Sequence, residues 1–339
     1  MQELQPIDII KFQDSPEDIS HDFTPKNFNQ FIGQSSLKEK LNIYTTAAKM
    51  RNEPVDHLLF SGPPGLGKTT LSQIMAEEMN VGIKICSGPM LERTGDLVAI
   101  LSGLQPKDIL FIDEIHRTPK AVEEVLYSAM EQFRVDVIIG QGAGAKTVNL
   151  PINPFTLIGA TTKAGLLTAP LRSRFGITER LDFYADDELK IIVQQYASYL
   201  EIKLSDAGAL RIAKSSRGTP RIAKKLTRRV RDFAQVKHQK IIEDELVHQS
   251  LLFLGIDEDG LTSVDNLILQ KIIKHYGGGP AGIETIASLI GEDSDTLEAV
   301  YEPFLMRKGY LEKTPRGRQI PHLMLLKLKR KLLGQETIF

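Results

Sequence analysis

The stretch SGPPGLGKTT, from Ser61 to Thr70, constrains this chain more than any other ten residues. It follows at once on His57-Leu58-Leu59-Phe60, which reads as a short strand, and leads into TLSQIMAEEM, a good helix former with apolar residues at helical spacing. Gly62, Gly67, Lys68 and Thr69 satisfy the pattern G-x-x-x-x-G-K-T. Glycines tolerate positive φ and let successive backbone N–H groups converge on phosphate oxygens. Lys68 brings a cation to the outer phosphates, and Thr69 brings a hydroxyl to Mg²⁺. The loop opens a helix, where unpaired N–H groups and the helix dipole favour an anion. An ordinary strand-to-helix turn needs none of these fixed positions, so the unit predicts an α/β fold that binds a nucleotide.

A second element is DILFIDEIHR, Asp108 to Arg117. Ile109 to Ile112 form a continuous apolar run, as central parallel strands do. Asp113 and Glu114 follow at its carboxyl end, where ligands bind in open α/β sheets. Asp113 suits a carboxylate linked to Mg²⁺, and Glu114 suits a base that orients an attacking water. The same pair could merely start a loop or cap a helix. A third run, FTLIGATT, ends at Thr162, which can reach a γ-phosphate or the attacking water from that sheet edge. APLRSRFG then presents Arg172 and Arg174 between Pro170 and Gly176. An arginine there either salt-bridges locally or acts on a neighbouring subunit's nucleotide, and the residues alone leave both readings standing.

Composition narrows the class. With 339 residues the chain exceeds one ordinary domain. A net charge of −1 means that any nucleic-acid surface is local. Cys86 is the single cysteine, which excludes an internal disulfide and a cysteine-cluster metal site. The acidic N-terminus lacks a signal pattern, and no apolar run approaches the ~18 residues of a membrane helix. A cytoplasmic protein without membrane attachment is expected.

Taken together, GPPGLGKTT, LFIDEIHR, FTLIGATT, LRSRFGI and RGTPRIAKKLTRRVRDFA resemble the RuvB family of AAA+ ATPases, the motors of Holliday-junction branch migration. The resemblance runs from about Phe23 to Arg318, with IGQ at Ile32–Gln34, VYEPFL and TPRGR in the family's order. It implies ATP or ADP as nucleotide, with Mg²⁺ held by Thr69 and Asp113. Catalytic roles then fall on Lys68, Asp113, Glu114 and Thr162, with Arg174 as the arginine inserted into the adjacent subunit. Gly65 and Thr70 share the nucleotide loop, Phe23 and Thr24 lie near the base, and Tyr184 is a further nucleotide contact. Glu131, Gln132 and Phe133 match a segment that reaches a neighbour's nucleotide, and Arg221 matches the residue that senses nucleotide state. The implied partners are duplex DNA at Holliday junctions, RuvA, RuvC and further copies of the chain in a hexamer.

Three positions depart from the family's pattern. Thr24 stands where arginine is usual, Gln132 where aspartate is common and Lys163 where arginine is common. A loader or scaffold ATPase that binds DNA without translocating it is the alternative reading.

The remaining sequence sets the architecture. Alternating apolar strands and helices to about Asp182 argue a parallel sheet, and the pattern is helical from Asp186. Residues 1–182 are expected to form the large AAA+ P-loop domain, 183–255 a helical lid and 256–339 a winged-helix domain with a tail. In the lid, Ile222, Leu226, Val230 and Phe233 make an apolar stripe beside a basic face. Further on, Leu297, Val300, Tyr301, Phe304 and Leu305 recur at helical spacing, and Pro303 must kink them. Lys313, Arg316 and Arg318 then sit on a strand–turn–strand pattern. Alone this is most simply plain surface; with the resemblance it becomes a wing on DNA phosphates. Ile138 and Ile139, in a candidate hairpin, either pack in the chain's own core or meet a partner, RuvA by the resemblance. The tail residues Lys327, Lys329, Arg330 and Lys331 read equally as a phosphate contact or a solvated helix end.

Overall fold

Apolar runs that alternate with helical stretches become a parallel sheet in the computed structural model, which describes residues 23–139 and 146–333. The chain divides into a unit spanning Phe23–Tyr184 and a second that takes in the residues from Ala185 onward. The first unit contains β1 (Leu58–Ser61), β2 (Ile83–Ser87), β3 (Ile109–Asp113), β4 (Arg134–Ile139), β5 (Lys146–Pro151), β6 (Thr156–Thr161) and β7 (Ile177–Arg180). Five of these form one parallel sheet in the order β2-β3-β6-β1-β7. Every residue of β6 is buried, and so is β3 up to Ile112, whereas the edge strand β7 alternates. Helices α1 (Ser35–Arg51), α2 (Lys68–Met79), α3 (Thr94–Ser102), α4 (Lys120–Gln132) and α5 (Ala169–Ser173) accompany the sheet. Leu110, Ile112, Leu126, Ala129, Phe155, Leu157 and Phe175 share one core on the side of α3 and α4. Gly159 in β6 keeps that packing close, because a Cβ there would stand 3.0 Å from Ile115 Cδ1 and 3.1 Å from Phe175 Cζ.

β4 and β5 form a separate antiparallel hairpin, registered from Arg134↔Pro151 to Ile139↔Lys146. Val135 is buried and roots the hairpin in the core. The side chains of Ile138 and Ile139 lie outside the described residues, so their two readings both stand.

The second unit begins with the lid: α6 (Asp186–Tyr199), β8 (Lys203–Leu204), α7 (Asp206–Ser215), α8 (Pro220–Val236), β9 (Ile241–Ile242) and α9 (Asp244–Phe253). On α8 the buried stripe is Ala223, Leu226, Thr227, Val230 and Ala234, while Ile222 and Phe233 are half-buried at its margins. The expected stripe is therefore rotated by about one position. Next come α10 (Ser263–Tyr276), α11 (Ile283–Ile290) and α12 (Ser294–Thr296), then a π-helical turn at Leu297–Tyr301 and α13 (Glu302–Arg307). The break expected at Pro303 takes the form of that wider turn, which precedes a residue with no N–H to donate. Strands β10 (Glu312–Thr314) and β11 (Gly317–Gln319) make a hairpin, and α14 (His322–Leu333) follows.

Lid and winged helix share a buried joint. Asp265, in the first turn of α10, has no exposed surface and accepts from Arg217 Nη1 at 2.8 Å and Nη2 at 3.1 Å. It also accepts from the backbone N–H and hydroxyl of Thr262 at 2.9 and 2.7 Å. The Arg217 guanidinium lies 4.4 Å from the Phe304 ring centroid and donates to Val300 O. This packing places lid and winged helix in the same unit, although the sequence suggests two domains.

The tail joins the same core through Leu328, which is fully buried. Lys331 Nζ donates to Asp257 and Asp259 at 2.9 and 2.6 Å, and Lys327 Nζ lies 3.6 Å from Asp259. Two of the four tail cations are thus matched to the acidic loop before α10, an arrangement neither sequence reading foresaw. Among the described residues no helix is long and apolar enough to cross a membrane.

Candidate functional site

The nucleotide loop lies between the end of β1 and α2, and its glycines are there by necessity. A Cβ at Gly62, where φ is +134°, would fall 2.5 Å from Leu181 O, and Gly65 and Gly67 also have positive φ. Gly67 caps α2 and sits against the Phe31 ring. Tyr184 donates from its hydroxyl to Leu66 O at 3.1 Å, tying the chain after β7 to the loop. Lys68 is buried, and its Nζ donates to Gly62 O at 2.8 Å and Pro63 O at 2.9 Å. Thr69 and Thr70 follow in the first turn of α2, both half-buried.

Asp113 ends β3, and its Oδ1 accepts from the Glu114 N–H at 2.9 Å. Glu114 takes a left-handed backbone, φ 47°, which turns it out of the strand line. Thr162 donates to Glu114 Oε2 at 3.2 Å, so the structure brings these two predicted residues together. His116, which has no assigned role in the sequence reading, places Nδ1 3.1 Å from the same oxygen and 2.9 Å from Thr161 Oγ1. Burial holds its pKa below the usual histidine value, which keeps the ring neutral near pH 7. Its position two residues past Glu114 was the one available signal.

Among the described residues no group of three or more His, Cys, Asp or Glu could hold a metal ion. Mg²⁺ keeps several waters and takes one or two protein ligands beside substrate phosphates, so a threonine and one aspartate fit its chemistry.

Arg174 follows α5 directly and leans over α4. Its guanidinium carbon lies 4.5 Å from the Tyr127 ring centroid, Nη1 donates to Pro170 O at 2.7 Å, and Nε lies 3.1 Å from Glu131 Oε1. The structure thereby joins Glu131 and Arg174, two residues assigned to a neighbour's nucleotide. Arg172 donates instead to Ala164 O and Leu167 O. Gln132 is exposed. The Phe133 ring is 6.1 Å from Phe155 and 6.4 Å from His57, packed against the core, while the Glu131 and Gln132 side chains are exposed. His57 anchors the same region. Leu157 N–H donates to its Nδ1 at 2.8 Å, so Nε2 carries the hydrogen that meets Met130 O at 3.1 Å. Phe23 is half-buried and Thr24 exposed at the start of the described chain.

Arg221 is exposed in the first turn of α8, in the second unit. In the winged-helix hairpin Thr314 donates to Gly317 O at 2.8 Å and closes a turn that exposes Arg316. Lys313 is also exposed and pairs with Glu298 at 3.2 Å. Arg318 is 8% exposed, its Nε donates to the buried Glu302 at 2.5 Å, and Nη2 lies 3.5 Å from Glu298. Its backbone pairs with Ala281. Of the three hairpin cations, Lys313 and Arg316 are exposed and Arg318 is paired within the fold.

Family models match the chain in three consecutive pieces: the Holliday junction DNA helicase RuvB P-loop domain over residues 23–181, the RuvB AAA lid domain over 184–257 and the RuvB C-terminal winged helix domain over 258–325. The chain is 55% identical over 295 residues to the Holliday junction branch migration complex subunit RuvB of Staphylococcus haemolyticus, covering 87% of this chain and 89% of that one. It is 52% identical over 308 residues to the subunit of the same name from Pediococcus pentosaceus, covering 90% and 91%. The solved structure of the Thermotoga maritima RuvB Holliday junction branch migration motor superposes with a TM-score of 0.82 at 48% identity, over 93% of this chain and 99% of that one. On these matches, which span nearly all of the described residues, the chain belongs to the RuvB family of AAA+ P-loop ATPases.

Proposed function

We propose that this chain is the ATP-driven motor of Holliday-junction branch migration in recombination and repair, a cytoplasmic protein acting as a hexameric ring on duplex DNA with RuvA and RuvC. The observation that carries the proposal is the arrangement of one RuvB-family site across three adjacent strands. The glycine loop with Lys68 follows β1, Asp113 and Glu114 end β3, and Thr162 follows β6 and bonds to Glu114.

In this reading Lys68 exchanges its two loop carbonyls for phosphate oxygens, and the loop N–H groups take the rest of their charge. Thr69 and Asp113 hold Mg²⁺, which neutralises charge on the outer phosphates when bound. Glu114 orients the attacking water, while Thr162 and neutral His116 fix the direction of its carboxylate. Phe23, Thr24 and Tyr184 flank the base side, with Gly65 and Thr70 in the loop. Arg174 and Glu131 act on the nucleotide of the next subunit, where an arginine stabilises charge in the transition state. Arg221 carries nucleotide state into the lid, and Lys313, Arg316 and Arg318 form the wing that meets DNA phosphates.

The test is ATP-dependent dissociation of a synthetic four-way junction, with and without RuvA, for the wild type and Glu114→Gln. RuvA-dependent dissociation that Glu114→Gln abolishes supports the motor. Hydrolysis with intact junctions in the presence of RuvA would replace it with a loader or scaffold.

A further inference from the structure

The helix before Arg174 is five residues long and holds only Nη1, through Pro170 O at 2.7 Å. The rest of the direction comes from α4, where Glu131 Oε1 lies 3.1 Å from Nε. Tyr127 presents its ring face to the guanidinium at 4.5 Å, well inside the distance at which a cation is drawn to an aromatic face. That ring is itself held. Tyr127 Oη donates to Glu123 Oε2 at 3.1 Å and stands 3.1 Å from Thr168 Oγ1. Thr168 donates to the same Glu123 oxygen at 2.8 Å. Burial pushes the Tyr127 phenol above its ordinary pKa, so it stays a donor near neutral pH.

Glu123 is 4% exposed, and a carboxylate so placed needs donors. Its two hydroxyl partners lead to Arg174 by separate routes. Tyr127 lies beneath the guanidinium, whereas Thr168 caps α5, accepting from Leu171 N–H at 3.4 Å. One buried carboxylate therefore sets both the platform under the arginine and the start of the helix before it. A tyrosine that merely filled space would sit with Val122, Leu126 and Ala129 in the core; Tyr127 is only half-buried, with a ring face turned to a cation.

We propose that Tyr127 is a positioning residue for Arg174, its ring locked by Glu123 and Thr168 so that the guanidinium, tied also to Pro170 O and Glu131, is held ready for a phosphoryl group on a neighbouring copy of this chain. The proposal rests on the reading of Arg174 as an arginine acting between subunits.

The experiment is steady-state ATP hydrolysis by the full chain with RuvA and junction DNA, with assembly monitored by sedimentation. Arg174→Ala is expected to lower kcat by about 10³-fold. Tyr127→Leu should lower kcat by roughly tenfold with KM for ATP little changed, and Tyr127→Phe, which keeps the ring face, should retain most of it. The double variant Tyr127→Leu/Arg174→Ala should be no slower than Arg174→Ala alone. Multiplying losses in the double variant, full kcat in Tyr127→Leu, or an effect confined to KM would overturn the positioning role. Full kcat in Arg174→Ala would remove the inter-subunit reading itself, a distinct result that also ends the proposal. If Tyr127→Leu does not assemble, Thr168→Val carries the same test: a loss of about threefold, absent when Arg174 is already alanine. A Thr168→Val loss that persists without Arg174 overturns the proposal.

Discussion

The nucleotide site and the lid–wing joint treat charge in opposite ways. Lys68 is partnered by two backbone carbonyls, and Glu114 by a threonine hydroxyl and a neutral imidazole. The partners of Glu114 carry no counter-charge, so a water or a cation can displace them at small cost. Arg217 and Asp265 are a matched pair out of water, with Asp265 taking four donors and Arg217 lying against Phe304. The Glu114 carboxylate is held by neutral donors, whereas the carboxylate in the joint is neutralised on the spot.

The strongest way to break this contrast is Asp265→Asn. It strands the Arg217 charge in the joint, and a loss of about 3–5 kcal/mol in the stability of the second unit is expected by denaturant titration. An unchanged midpoint would mean that the joint is no tighter than the site. Next, Glu114→Gln should cut hydrolysis by about 10²-fold or more, equal to roughly 2.7 kcal/mol of barrier, yet leave the denaturation midpoint almost where it was. A large stability change there would show that Glu114 is structural.

His57 sharpens the contrast in a half-buried group whose hydrogen bonds go to backbone atoms. Desolvation lowers its pKa, so the unfolded chain binds a proton that the folded one refuses. Its contribution is fully present above about pH 6.5, the unfolded value, and is lost as pH falls through the folded value. The slope is at most about 1.4 kcal/mol per pH unit, and His57→Gln should reduce it in a pH series of unfolding curves. The smallest effect is expected at Lys40–Glu179, a 2.9 Å pair at the surface, where Lys40→Ala should barely move the denaturation midpoint, and still less at high salt.

The sequence made the parallel-sheet class legible because its signals are local. Gly62, Gly67 and Lys68 must stand at fixed offsets, and Ile109–Ile112 must be apolar throughout to lie inside a sheet. The Glu114 and Thr162 pairing was half legible: both ends of strands were marked, but neighbourhood follows from the order β3-β6, which no local pattern encodes. His116, Tyr127 and Glu123 escaped notice because a side chain's direction depends on the turn that carries it and on residues 41 to 45 positions away, such as Thr161 and Thr168. The ion pair of Arg318 was hidden for a related reason. A cation in a basic turn looks exposed until Glu302, 16 residues earlier, is found beside it. Phe133 and the Arg217–Asp265 joint belong to the same class of long-range pairings.

The position of β1 in the sheet has a consequence for how the chain is made. Leu58 pairs with Ile158 on one side and Ile177 on the other, so this interior strand leaves the ribosome long before either neighbour exists. The loop after it fares the same, since Gly62 N–H donates to Thr161 O and the residue itself abuts Leu181. Such distant closures are slow relative to local helix formation. During translation, then, α1 and α2 can form early, but the cradle around Lys68 takes shape only when residues near 181 emerge. A nascent chain shorter than that carries the whole glycine motif and still has nowhere to seat a phosphate.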